Sequence, residues 1–124
     1  MGQNATNQNA FMLYVSAGVL NFDYTTDGTT NVNNTFTWSP STATWYHVAV
    51  ARSGNILKAF IDGTQIGSDL DLTGITIYNS TATFNIGGVT LIKEALDGWM
   101  DEIRVSNTVR WTANFTAPTA AYTC

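Results

Sequence analysis

The stretch Trp45–Ile66, WYHVAVARSGNILKAFIDGTQI, constrains this chain more than any other. Two runs of strand-forming residues, Trp45–Arg52 and Ile56–Asp62, flank a Ser53-Gly54-Asn55 turn, and a second tight turn follows at Asp62-Gly63-Thr64. β-branched and aromatic residues broken by Gly, Asn and Asp are the mark of hairpins. At a period of two, Tyr46, Val48 and Val50 fall on one face, and Trp45, His47, Ala49 and Ala51 on the other. Both faces are largely apolar, so the first run is expected inside a sheet covered on both sides. The second run divides in the same way, with Leu57, Ala59 and Ile61 opposed to Ile56 and Phe60.

The flanking sequence extends the pattern. Residues 1–10 are polar and read as a mobile lead-in. Phe11–Ser16 and Val19–Tyr24 form a hairpin about Ala17-Gly18, followed by a loop at Thr25–Asn34 and a short strand at Thr35–Trp38 that Ser39-Pro40 stops. Gly67–Thr73 reads as a turn-rich connection, and Ile75–Tyr78 and Thr83–Ile86 as short strands. Thr90–Leu96 is ambiguous between a helical turn and a loop or strand. Gly98–Ser106 reads as the last long strand, with Trp99, Asp101, Ile103 and Val105 on one face. Thr108–Phe115 suggests a helical turn plugging one end of the core with Trp111. Short strands and frequent turns predict an all-β, antiparallel β-sandwich, a jelly roll rather than βαβ units.

Composition fits one domain. The 124 residues are 44% hydrophobic and only 11% charged, enough apolar surface for a core. The net charge of −4 comes with no basic patch, which argues against nucleic acid as a partner. No apolar run approaches the roughly 18 residues of a membrane span, so no membrane insertion is expected. The single cysteine, Cys124, cannot form a disulfide within the chain. Four Asn-x-Ser/Thr matches are what an Asn- and Thr-rich chain yields by chance.

Three motifs then occur in order: Trp45-Tyr46-His47-Val48-Ala49-Val50, Phe60-Ile61-Asp62-Gly63, and Gly98-Trp99-Met100-Asp101-Glu102-Ile103-Arg104-Val105-Ser106. Together they resemble laminin-G-like domains of the concanavalin A-like lectin/glucanase superfamily. The likeness spans residues 11–121 and leaves 122–124 as a tail. It makes Trp45, His47, Asp62, Gly63, Gly98, Asp101 and Trp111 structural motif positions. Arg110–Pro118 is similar to the ending of such domains in phage virion proteins. Members of the family usually carry further strands ahead of the region matched by Phe11. The resemblance therefore implies either a cut-down domain, lacking its N-terminal strands, or strands supplied by another chain or another part of the polypeptide. An open strand edge invites association, so a homo-oligomer or a larger assembly is expected.

A glucanase-related hydrolase needs two carboxylates across the scissile bond; Asp97, Asp101 and Glu102 are the nearest set, but Asp101 and Glu102 point to opposite faces of a strand. His47, the only histidine, has no zinc-type partners and no marked nucleophile. The resemblance requires no cofactor but admits calcium, which takes hard oxygen donors; Asp69 and Asp71 are the leading candidates, with Asp23 and Asp27 as another pair. Sugar binding wants an aromatic platform beside hydrogen-bonding side chains, a mixture offered by Tyr24, Asp27, Asn31, Asn33, Tyr78 and Asn79. Trp45, Trp99 and Trp111 are assigned to the core or its ends. The expected function is a non-catalytic attachment module of a virion structural protein, recognising a surface glycan or a neighbouring protein. The rival is a decoration or assembly domain completed by strands from neighbours. The expected location is a virion surface, with an extracellular or bacterial cell surface as the alternative.

Overall fold

The computed structural model describes residues 1–3, 5, 7–89 and 94–121. The strands are β1 (Gly2–Gln3), β2 (Phe11–Ser16), β3 (Val19–Tyr24), β4 (Val32–Thr37), β5 (Val48–Ser53), β6 (Ile56–Ile61), β7 (Thr64–Asp71), β8 (Phe84–Asn85), β9 (Gly88–Val89) and β10 (Glu94–Ala95). There is no helix among the described residues, and every described pairing is antiparallel. The all-β expectation therefore holds. Most of the run 90–96 and all of the tail 122–124, with Cys124, lie outside the described residues.

The chain divides into two compact units. The first comprises residues 1–35 and 75–100. Its five-stranded sheet has the order β4-β3-β2-β1-β8. The β2–β3 hairpin turns on Ala17 and Gly18, with φ of +50° and +76°. A two-residue turn with both φ positive matches the right-handed twist of the strands. It sets Tyr14 opposite Asn21 and Met12 opposite Asp23. Alternation then gives the sheet one apolar face, on which the Phe11 ring contacts Phe22 and Phe84 at 6.3 and 6.1 Å. Leu20, Phe22 and Tyr24 are buried on that side. The other face is polar and carries Tyr14, Asn21 and Asp23.

The supposed lead-in contributes to this sheet. Gly2 pairs with Met12 on one side and with Asn85 on the other. A polar sequence gave no hint of this, because a two-residue strand takes its stability from backbone pairing rather than from its side chains. Ile75–Tyr78, expected as a strand, forms none. β4 begins at Val32, inside the segment read as loop.

The second unit comprises residues 36–74 and 101–124. Its sheet has the order β5-β6-β7. Here the hairpin reading holds in register, from Val48 opposite Ile61 to Ser53 opposite Ile56. The expected placement of the first run does not: β5 is an edge strand, and Val48 is exposed. The central strand is β6, where Leu57, Ala59, Phe60 and Ile61 are all buried. Gly67–Thr73 is largely strand rather than turn; β7 bulges where Lys58 crosses it, and Lys58 reaches Asp69 at 3.3 Å.

Residues 111–115 pack on this sheet. Trp111 and Phe115 stack with ring centroids 4.0 Å apart, and both meet His47 edge-on at 5.6 Å. Phe115 also meets Phe60 at 5.4 Å. The Asp62-Gly63 turn anchors the group. Phe115 N–H donates to the Gly63 carbonyl at 2.9 Å, and Gln65 N–H to Asn114 Oδ1 at 2.9 Å. Gly63 has φ of +81°, and a Cβ there would stand 1.9 Å from the Phe115 carbonyl oxygen. Only glycine meets both conditions.

Two motif tryptophans are misplaced by the sequence reading. Trp45 is 67% exposed and Trp99 86% exposed, and neither is core. Trp45 precedes β5 on irregular backbone. Gly98–Ser106 is not a strand either: Glu102 has φ of +51°, which breaks an extended run, and residues 95–110 are exposed throughout. The helical turn expected at Thr108–Phe115 is absent, although Trp111 does sit against the aromatic group.

Candidate functional site

All six candidate sugar-binding residues lie in the first unit, but the structure uses them differently. Tyr24 is 6% exposed and serves the core, so it is no stacking platform. Asp27 is spent on its own loop: its Oδ1 accepts the Thr29 and Thr30 amides at 2.8 and 2.7 Å. Those bonds hold its carboxyl well below the usual carboxylate range. Tyr78 is half-buried, and a Cβ at Gly28 would lie 2.9 Å from its ring. Its N–H donates to the Thr25 carbonyl at 2.8 Å. Asn79 is exposed and close to none of the others by any hydrogen bond described.

Asn33 bonds Asp23, and Asn31 lines the same shallow dimple as Asp23. Asp23 Oδ2 accepts from Tyr14 Oη at 2.9 Å and from Asn33 Nδ2 at 2.8 Å. One carboxylate oxygen thus ties β2, β3 and β4 together. The other, Oδ1, is buried and has no hydrogen-bond partner among the described residues. Asp23 is only 3% exposed. Burial raises its pKa, and the bond from Tyr14 and the nearby Asn34 amide offset this only in part. Asp23 lines a shallow dimple with Asn9, Met12 and exposed Asn31, too tight to admit a water molecule as it stands.

Sequence reasoning missed Tyr14 and Asn21. The signal was present: a two-residue turn at Ala17-Gly18 fixes the register, which places Tyr14 beside Asn21 and diagonal to Asp23.

The other candidates do not form sites. Asp69 takes a bond from Gln65 Nε2 at 2.8 Å besides the Lys58 pair, while Asp71 Oδ1 accepts the Thr73 amide and hydroxyl at 2.8 and 2.6 Å. Each carboxylate is committed to its own neighbours. Among the described residues, no group of three His, Cys, Asp or Glu converges as a metal cluster. Asp97, Asp101 and Glu102 are exposed on irregular backbone, and Asp101 Oδ1 accepts the Glu102 amide at 2.8 Å. They do not stand on a strand floor as paired catalytic carboxylates would.

A laminin G-like family model, of the concanavalin A-like lectin/glucanases superfamily, matches residues 1–114. The chain belongs to that superfamily. The match takes in the first ten residues, consistent with β1 being part of the sheet, and it carries the antiparallel β-sandwich class with it. Comparison with curated proteins and with solved structures gave no match. Laminin G-like domains are typically non-catalytic binding modules, and a binding module is the broad reading that membership supports.

Proposed function

We propose that this domain binds, without catalysis, a neutral hydroxyl-rich ligand, with a surface glycan as the principal class, at the polar face around Asp23. The observation that carries this is the Asp23 carboxylate. A buried oxygen left without a hydrogen bond destabilises a protein, and the groups that accept such a cost are commonly those that meet a ligand. A saccharide hydroxyl donates to Oδ1, while the amides of Asn31 and Asn33 offer both donors and acceptors at the rim. Tyr14 fixes the opposite oxygen and so the orientation of the carboxylate. Entry requires the dimple to widen, and Asn31, exposed at its edge, is the side chain free to shift. The likeness of Arg110–Pro118 to phage virion domain endings supports a virion surface as the setting, which immunodetection on purified particles would test.

The test of the site is a glycan array followed by titration calorimetry on any hit. Asp23→Asn is expected to weaken binding at least tenfold while the domain stays folded. Absence of saturable binding to any glycan, or an Asp23→Asn variant that binds like the original, would overturn the proposal.

A further inference from the structure

The chain carries three Asp-Gly dipeptides, Asp27-Gly28, Asp62-Gly63 and Asp97-Gly98. In such a pair the glycine has no Cβ to shield its amide nitrogen from the preceding carboxyl. Whether the two react depends on whether the fold lets nitrogen and carboxyl carbon meet.

Two of the three pairs are held apart. Asp27 Oδ1 accepts the Thr29 and Thr30 amides at 2.8 and 2.7 Å, and the Gly28 amide donates to the buried Thr25 Oγ1 at 3.0 Å. Both reacting groups are engaged there. Asp62 Oδ1 accepts the His47 amide at 2.8 Å, and the Asp62 amide donates to the His47 carbonyl at 2.8 Å. A Cβ at Gly63 would stand 1.9 Å from the Phe115 carbonyl oxygen, so that turn has no room to change shape. Asp97-Gly98 has none of these restraints. Leu96 N–H donates to the Gly87 carbonyl at 2.7 Å, and the chain then leaves the pairing. Asp97 and Gly98 are exposed at a bend, and neither makes a hydrogen bond among the described residues.

We propose that Asp97-Gly98 is a site of spontaneous isoaspartate formation, which the fold suppresses at the other two pairs. The Gly98 nitrogen bonds to Asp97 Cγ, and the bond from Cγ to the hydroxyl of the protonated carboxyl breaks. Water departs with that hydroxyl and the amide proton, leaving a five-membered succinimide. Water then adds to the ring. Addition at Cγ restores Asp97. Addition at the Asp97 main-chain carbonyl breaks its bond to the Gly98 nitrogen, so the chain runs on through Cβ and Cγ and a free α-carboxylate is left. One water is lost and one gained, and nothing is oxidised or reduced. The product is a substrate for methyl transfer from S-adenosylmethionine by an isoaspartyl carboxyl methyltransferase.

The test is incubation of the folded full chain for several weeks at neutral pH and physiological temperature, with circular dichroism to confirm folding. Methyl incorporation by that enzyme measures isoaspartate, and electron-transfer fragmentation of peptides places it. It should accumulate at residue 97 about tenfold or more faster than at 27 or 62, the factor for giving up one hydrogen bond to a charged group. In guanidinium chloride the three rates should converge. Gly98→Ala should slow the reaction several-fold and leave folding intact, because the atoms nearest a Cβ there belong to Leu96 at 3.8 Å. No isoaspartate at residue 97, equal rates at the three sites of the folded chain, a preference that persists in denaturant, or a Gly98→Ala variant that isomerises as fast would overturn the proposal.

Discussion

The two sheets spend their interiors differently. In the three-stranded sheet, the buried positions of β6 are apolar, and Phe60 meets an aromatic group built from His47, Trp111 and Phe115. In the five-stranded sheet, β3 is buried on both sides, with Leu20, Phe22 and Tyr24 on one and Asn21 and Asp23 on the other. Burying polar groups stabilises little even when they are paired, and Asp23 is paired through one oxygen only. The contrast separates a region arranged for stability from one that holds an incompletely paired carboxylate, the group on which the proposed site rests.

That division can be broken by mutation. Phe60→Ala should cost about 3–5 kcal/mol in urea unfolding, by loss of burial and the cavity left behind. Affinity at the proposed glycan site, measured where the protein is folded, should be unchanged; a parallel loss of binding would dissolve the distinction. Gly63→Ala should cost about 2 kcal/mol, from the left-handed backbone and the collision with the Phe115 carbonyl. Its tryptophan fluorescence should shift to the red as Trp111 loses its stacking partner. Tyr14→Phe removes one bond to the Asp23 carboxylate and should cost about 1 kcal/mol.

The smallest effect has the opposite sign. Asp23 has a raised pKa in the folded state, so its ionised form opposes folding above that pKa, and the penalty fades as pH falls toward the ordinary carboxyl range. Asp23→Asn should therefore raise the melting temperature at pH 7, with the gain shrinking toward about pH 4. Asp27 behaves in reverse. Its pKa is depressed, so it stabilises above the ordinary range and loses that contribution as the solution is acidified through its folded pKa. Asp27→Asn should lower the melting temperature at pH 7 and have no effect at the acid limit. Melting curves from pH 7 to pH 2 for both variants give slopes of opposite sign if the assignment is right.

How much of this was legible depends on what fixes each element. Short-range signals were read well: Ser53-Gly54-Asn55, Ala17-Gly18 and Asp62-Gly63 mark three turns that the structure has. Long-range choices were not in the pattern. Alternation made Gly98–Ser106 look like a strand, but a strand needs an edge to pair with, and no local rule supplies one. Gly2–Gln3 failed in the other direction, since its pairing partners lie near residues 12 and 85. The site was half visible. Asn31 and Asn33 were named for their chemistry, whereas Tyr24 and Tyr78 were named for being aromatic and are held in packing. What marks Asp23 is burial, which composition cannot report.

The attachment of Phe115 to the Gly63 turn has a consequence for biosynthesis. The hairpin leaves the ribosome roughly fifty residues before the aromatic ring that caps it. Until then the emerging chain displays the side of Phe60 that Phe115 will cover. A translational pause in that interval would prolong the exposure, and a chaperone able to hold a short greasy stretch would find its binding surface there.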